Sequence, residues 1–237
     1  FYQLGFDAVL LKQLSSVYEF WLFDLVNKEH VIFFENILHL ISIVVNMVDQ
    51  VNLRVPMLQA VLGVSNMPDC KAVMFPSIQE ATPSFPSISQ TATEHLFFAG
   101  FAQPEYRLFV QGQMNPMTFV HELAHLYTHE AVSSSLLTGL PAWLSEGLAK
   151  YLESGSSEPS KNVLLSITQP DDLLQIRHMW SVPSRRADIS VFYPQAGAFV
   201  GYLVEEYGDE LMATYLAALN SGGMPVESFK HTYQKEL

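Results

Sequence analysis

A chain of 237 residues, 49% hydrophobic and only 15% charged, is long enough to bury a sizeable core and too apolar to be disordered. Lys and Arg number 12 against 24 Asp and Glu, so the formal net charge is −12, the wrong sign for a phosphate-binding surface, and nucleic acid is excluded as a partner. The single cysteine, Cys70, rules out an internal disulfide framework and cannot build a zinc site alone.

In chain order, residues 1–50 read as helix with apolar side chains on nearly every face, broken by Asp7, Glu19, Asp24 and Glu35. Such a helix wants cover on most sides. Its most apolar stretch, Val31 to Val48, is interrupted by Glu35, Asn36, His39 and Asn46, whereas a membrane span needs about 20 mostly apolar residues. A buried helix is the expectation, and membrane contact through this region is not favoured. Ala72 to Phe75 reads as a strand, and Pro76, Pro83 and Pro86 mark a loop after it. Two apolar runs between His95 and Gln111 flank Gln103-Pro104, which predicts a pair of short strands around a turn.

Asn115-Pro116 has the form of a helix start, Asn as N-cap and Pro at the first helical position, for a helix to about Ala131. A loop over 133–139 leads to Pro141, a second first-turn proline, and a helix to about Glu153 stopped by Ser154-Gly155. After a polar loop, short helices are expected near Asp171 to Met179, from Pro194 to Tyr207 closed by Gly208, and from Asp209 to Leu219.

The chemistry lies in His121-Glu122-Leu123-Ala124-His125, an HExxH pattern. Residues i and i+4 of a helix lie about 40° apart around the axis and about 6 Å along it, so both imidazoles can grip one zinc ion. Glu122 projects near the same face, where it can act as a general base without being a ligand. Chance placement of the chain's His and Glu residues gives roughly 0.02 such matches. A third ligand follows in Trp143-Leu-Ser-Glu-Gly-Leu-Ala149, where Glu146 stands twenty residues beyond His125, room for one helix to end and an antiparallel neighbour to present a carboxylate. Two His and one Glu leave a coordination position open, as catalytic zinc requires. Thr128 and Ala131 occupy the places where a metzincin carries Gly and His, which excludes that arrangement.

HELAH followed by PAWLSEGLAKYLE resembles the gluzincin clan of zinc metallopeptidases, most closely its bacterial peptidase-MA-like members. The stretch from Tyr193 to Gly208 is similar to that family's tyrosine-led helix ending in Tyr-Gly, so the resemblance spans roughly residues 105–230 and leaves 1–70 unmatched. It implies one zinc per chain on His121, His125 and Glu146, Glu122 as base, and Tyr193 as the hydroxyl that stabilises the tetrahedral oxyanion. His178 is the alternative for that last role, with Tyr202 and Tyr207 behind it. The implied fold is α+β and helix-rich, a zincin-like domain in two lobes. Residues 1–132 would form an upper lobe with a small sheet and the HExxH helix, and residues 133–237 a helical lower lobe, together one catalytic domain. The implied activity is hydrolysis of peptides or unfolded protein segments, outside the cytoplasm.

Two departures from the clan matter. Thermolysin-like members place an Asp four residues after the ligand Glu to orient a ligand histidine; here that position is Lys150, so the orienting group must come from elsewhere. The aminopeptidase signature Gly-x-Met-Glu-Asn is missing, and the nearest stretch, Ala99 to Gln103, lacks its amine-binding Glu. The run Tyr106 to Gln111, read as an edge strand, offers pairing to an extended peptide, which suits an endopeptidase. A retired peptidase fold acting as a binding or scaffold module is the second functional reading; the intact Glu122 argues against it. His30, His39, His95, His129 and His231 are read as ordinary histidines, Trp143 as core, and Arg177, Arg185 and Arg186 as surface residues.

Overall fold

The computed structural model describes residues 28–65, 69–75, 77–85, 99–112, 115–132, 140–167 and 169–237. The helix expected before residue 28, the strand start at His95 and the loop over 133–139 lie outside the described residues.

Helix α1, Lys28–Leu62, is 35 residues long and continues through Pro56, whose side chain is exposed. Over residues 42–62 it buries Val44, Met47, Leu58, Val61 and Leu62, while Ser42, Asn46, Asp49, Asn52 and Leu53 stay exposed. Over this segment the helix is covered on one face, with Asn46, Asp49 and Asn52 marking the exposed side at helical spacing, while the side chains of 1–41, on which the expectation of cover on most sides chiefly rests, lie outside the described residues. Arg54 ties α1 to the rest of the molecule by donating from Nη2 to the Ser154 carbonyl at 3.1 Å. No helix among the described residues is long and apolar enough to cross a membrane.

Three strands follow: β1 (Lys71–Phe75), β2 (Gly100–Gln103) and β3 (Leu108–Gly112), with the short helix α2 (Ile78–Ala81) after β1. The order in the sheet is β1-β3-β2; β3 pairs parallel with β1, Lys71 opposite Leu108, and antiparallel with β2, Gly100 opposite Gln111. The pair of strands around Gln103-Pro104 thus forms as expected. The turn is a 3-10 stretch, Pro104–Tyr106, closed by Arg107 at φ 48°. The expectation that Tyr106 to Gln111 is an edge strand is overturned. Tyr106 belongs to the turn and β3 is the central strand; its parallel partner arrives from more than thirty residues upstream, which local patterning does not reveal.

Helix α3, Pro116–Ala131, begins and ends where the sequence predicts. Asn115 Oδ1 accepts the N–H groups of Met117 at 2.8 Å and Thr118 at 3.4 Å, while Pro116 has no N–H to satisfy. Helix α4, Ala142–Ser154, is stopped by Gly155 at φ 78°, whose N–H reaches the Tyr151 carbonyl. Its first N–H groups are met from afar: Ala142 donates to the Trp180 carbonyl and Trp143 to that of Met179.

The expected polar loop after Gly155 contains instead helix α5, Glu158–Ile167. The Glu205 carboxylate holds its start, accepting from the Ser157 N–H at 2.7 Å and the Ser157 hydroxyl at 2.5 Å. The helix expected near Asp171 to Met179 is replaced by two 3-10 turns, Pro170–Asp172 and Ile176–His178. Helix α6 runs Arg186–Tyr207, so Pro194 lies inside it and Tyr193 sits mid-helix, not at its threshold. Helices α7 (Asp209–Asn220) and α8 (Pro225–Tyr233) complete the chain.

The result is a helix-rich α+β, zincin-like fold with one small sheet. One large core joins α1, β3, α3, α4, α6, α7 and α8 around the fully buried Trp143, Leu144, Leu148, Phe192 and Tyr215. A second, small cluster of Ala81, Phe85 and Val110 also packs against the sheet. Helices α4 and α6 cross closely. A Cβ on Gly147 would lie 2.5 Å from Val200 and 2.6 Å from the Ala196 carbonyl oxygen, and one on Gly197 2.8 Å from Lys150. That close crossing brings Tyr193 of α6 and Glu146 of α4 to the same cavity.

Candidate metal centre

Helical spacing turns His121 and His125 of α3 to one side, and α4 presents Glu146 against them. The two imidazole Nε2 atoms stand 3.2 Å apart, and Glu146 Oε2 lies 3.4 Å from that of His121 and 3.5 Å from that of His125. Zinc bound to N and O donors at about 2.0–2.2 Å with tetrahedral angles spaces its donors by about 3.3–3.5 Å. The donor triangle fits such an ion in both chemistry and size. Among the described residues this is the one group of His, Cys, Asp or Glu side chains placed to share a metal ion.

Each imidazole is oriented through its other nitrogen. His121 Nδ1 pairs with Glu153 Oε2 at 3.1 Å, and His125 Nδ1 with Ser145 Oγ at 3.1 Å. With the proton on Nδ1 in both rings, each Nε2 keeps its lone pair for a metal. Lys150 Nζ donates to the same Glu153 oxygen at 2.8 Å. The orienting carboxylate missing at position 150 therefore comes from Glu153, two helical turns beyond Glu146, and Lys150 serves to hold it. Nothing in the sequence pattern alone singles out Ser145, Glu153 and Lys150 for this role, although the seven-residue step from Glu146 to Glu153 puts both on one face of a helix.

The electrostatics follow from burial and pairing. In the metal-free protein, burial pulls the His121 imidazole down, but hydrogen bonds to Glu146 and Glu153 more than offset it and raise its pKa to about 10. Burial raises the Glu146 carboxyl, yet His125 and His121 hold it far below the ordinary carboxylate range. Glu153 is likewise raised by burial and brought below its usual value by His121 and Lys150. Glu122 goes the other way. It is only 6% exposed, and burial pushes its pKa up against the pull of His121 and His125; the Ala102 N–H donates to its carboxylate.

These groups open on a cavity of about 740 Å³. Residues 99–102 with β2 form one wall, α3 and α4 carry His121, Glu122, His125 and Glu146, and Tyr193 closes another side, with Val132, Leu140 and Val182 adding apolar surface. Burial and the nearby Glu146 and Glu122 carboxylates push the Tyr193 phenol upward, which keeps it a hydrogen-bond donor at neutral pH. His178 is exposed and is not part of the wall. Tyr202 and Tyr207 bond to each other at 3.2 Å away from the cavity wall. His129 borders the cavity but stands outside the donor triangle. Arg177 and Arg185 are exposed, paired with Gln175 and Asp188.

A family model described as the Peptidase MA superfamily matches residues 111–237, a stretch that begins in β3 and contains His121, Glu122, His125 and Glu146. No curated protein and no solved structure matches the chain.

Proposed function

The chain belongs to the Peptidase MA superfamily, and we propose that it is a gluzincin-type zinc endopeptidase acting on peptides or unfolded protein segments. The observation that carries this reading is the donor triangle of His121, His125 and Glu146 with the buried carboxylate of Glu122 beside it. A zinc ion on that triangle supplies a Lewis acid and makes a water acidic enough to ionise near neutral pH.

The protein groups then have separate tasks. Glu122 takes the proton from the attacking water and returns it to the departing amine; burial raises its pKa, which makes its carboxylate a stronger proton acceptor. Tyr193 keeps its proton and donates a hydrogen bond to the oxygen of the scissile carbonyl as negative charge develops there. Glu153 and Ser145 hold the two imidazoles in register. The edge of β2 away from β3 pairs with no strand among the described residues and borders the cavity; it accommodates an extended backbone by strand addition beside the Ala102–Glu122 contact, a binding mode suited to cleavage within a chain.

Replacing Glu122 with Gln tests the assignment. The variant is expected to retain about one zinc per chain and to lose at least 100-fold in hydrolysis of a mixed peptide library, the scale of a lost general base. Cleavage at the wild-type rate would remove Glu122 from the mechanism, and zinc-loaded wild type that cleaves nothing would favour a binding module on the same fold.

A further inference from the structure

A glycine in a β-strand needs a reason, since it packs no side chain and loses more chain entropy on folding than other residues. The glycines Gly63, Gly155, Gly208 and Gly222 have a positive φ; Gly100, in β2, does not, so its backbone is one any residue adopts. What singles it out is what lies above it. A Cβ built on Gly100 would stand 2.7 Å from Glu122 Oε1, 2.8 Å from Cγ and 2.9 Å from Cδ. Two residues along the same strand, Ala102 donates its N–H to that carboxylate.

We propose that Gly100 is a positioning residue for the hydrolysis inferred above, acting by absence: it keeps clear the space in which the Glu122 carboxylate rests against β2. This rests on the reading of Glu122 as the base. Three atoms of one side chain are contacted, from Cγ to Oε1, so a methyl group cannot be accommodated by turning the carboxylate tip alone. Glu122 has little room to yield, being buried on the inner face of α3. The ligand atoms of His121, His125 and Glu146 are not among the closest neighbours of the built Cβ, so metal binding and base placement separate at this position.

The test is a set of four proteins: wild type, Gly100→Ala, Glu122→Ala and the double variant, each assayed for zinc content, for kcat and KM on a peptide the wild type cleaves, and for Tm. Gly100→Ala is expected to keep about one zinc per chain and lose at least about tenfold in kcat with KM changed less than about threefold. Its Tm falls by about 5 °C. In the Glu122→Ala background, where all three crowded atoms are gone, the same Gly100→Ala change leaves Tm within about 1 °C. Wild-type kcat in Gly100→Ala, loss of its zinc, or equal Tm losses in both backgrounds would overturn the proposal. A wild type that cleaves no peptide would instead remove the hydrolysis reading itself, and the role of Gly100 with it.

Discussion

At the scale of single residues, Glu153 and Glu122 are carboxylates placed to opposite ends. Glu153 meets His121 and Lys150, so its charged form is favoured; Glu122 meets mainly burial, so its neutral form is. Glu153→Ala should leave the three ligands in place but free the His121 ring to turn, weakening zinc affinity by about 10- to 100-fold in chelator competition. Unchanged affinity would show that the Nδ1 contact is incidental. For Glu122 the consequence is a stability cost. In metal-free protein, a carboxyl whose folded pKa exceeds its unfolded value binds protons more tightly when folded, so stability falls as pH rises through the window between those values and stays low above it. Glu122→Gln should therefore unfold at higher denaturant than wild type at pH 7, and the difference should vanish below about pH 4, where both states of the wild type hold the proton. A variant no more stable than wild type at pH 7 would contradict the account. The sequence exposes His121, Glu122, His125 and Glu146 because metal chemistry fixes residue type and helical spacing together. Glu153 is harder to see, since its partner lies on a different helix, and Gly100 harder still, because it acts through the space it leaves empty.

At the scale of elements, the start and end of α3 are written locally: Asn115 and Pro116 satisfy or avoid the orphan N–H groups whatever the rest of the chain does. The same proline rule misplaces α6. Pro194 suits a first turn, but here it lies in the helix interior and the preceding segment from Arg186 is helical as well. The role of β3 is set by β1, a non-local partner, so its central place could not be read from its own alternation. The α4–α6 crossing depends on Gly147, whose added Cβ would meet Val200 and the backbone of Ala196, neither able to swing aside like a flexible side-chain tip. Gly147→Ala should cost about 1–3 kcal/mol in denaturant unfolding. Because Gly147 follows Glu146 directly, zinc affinity should fall as well. A variant as stable as wild type would mean that the two helices can move apart freely.

At the scale of the whole molecule, an acidic chain places three histidines, three glutamates and one lysine along a single cavity, and one large core holds the helices on either side of it. The N-terminal α1 shares that core: Leu58, Val61 and Leu62 lie in the same cluster as Leu216 and Leu219 of α7. Sequence order alone sets α1 far from α7, and only packing reveals that the two helices support each other. Leu58, fully buried and not part of the cavity wall, is the position to probe this: Leu58→Ala should cost about 2–5 kcal/mol in unfolding while the metal content per chain stays unchanged.

The most direct measurement of the central claim is metal content by mass spectrometry on protein purified without chelators, wild type beside His125→Ala, with hydrolysis of a mixed peptide library followed on the same samples. The account predicts about one zinc per wild-type chain, its loss in the variant, and cleavage inside peptides that a chelator abolishes and added zinc restores. Wild-type protein that binds no metal, or a His125→Ala variant that keeps both its zinc and its cleavage, would contradict it.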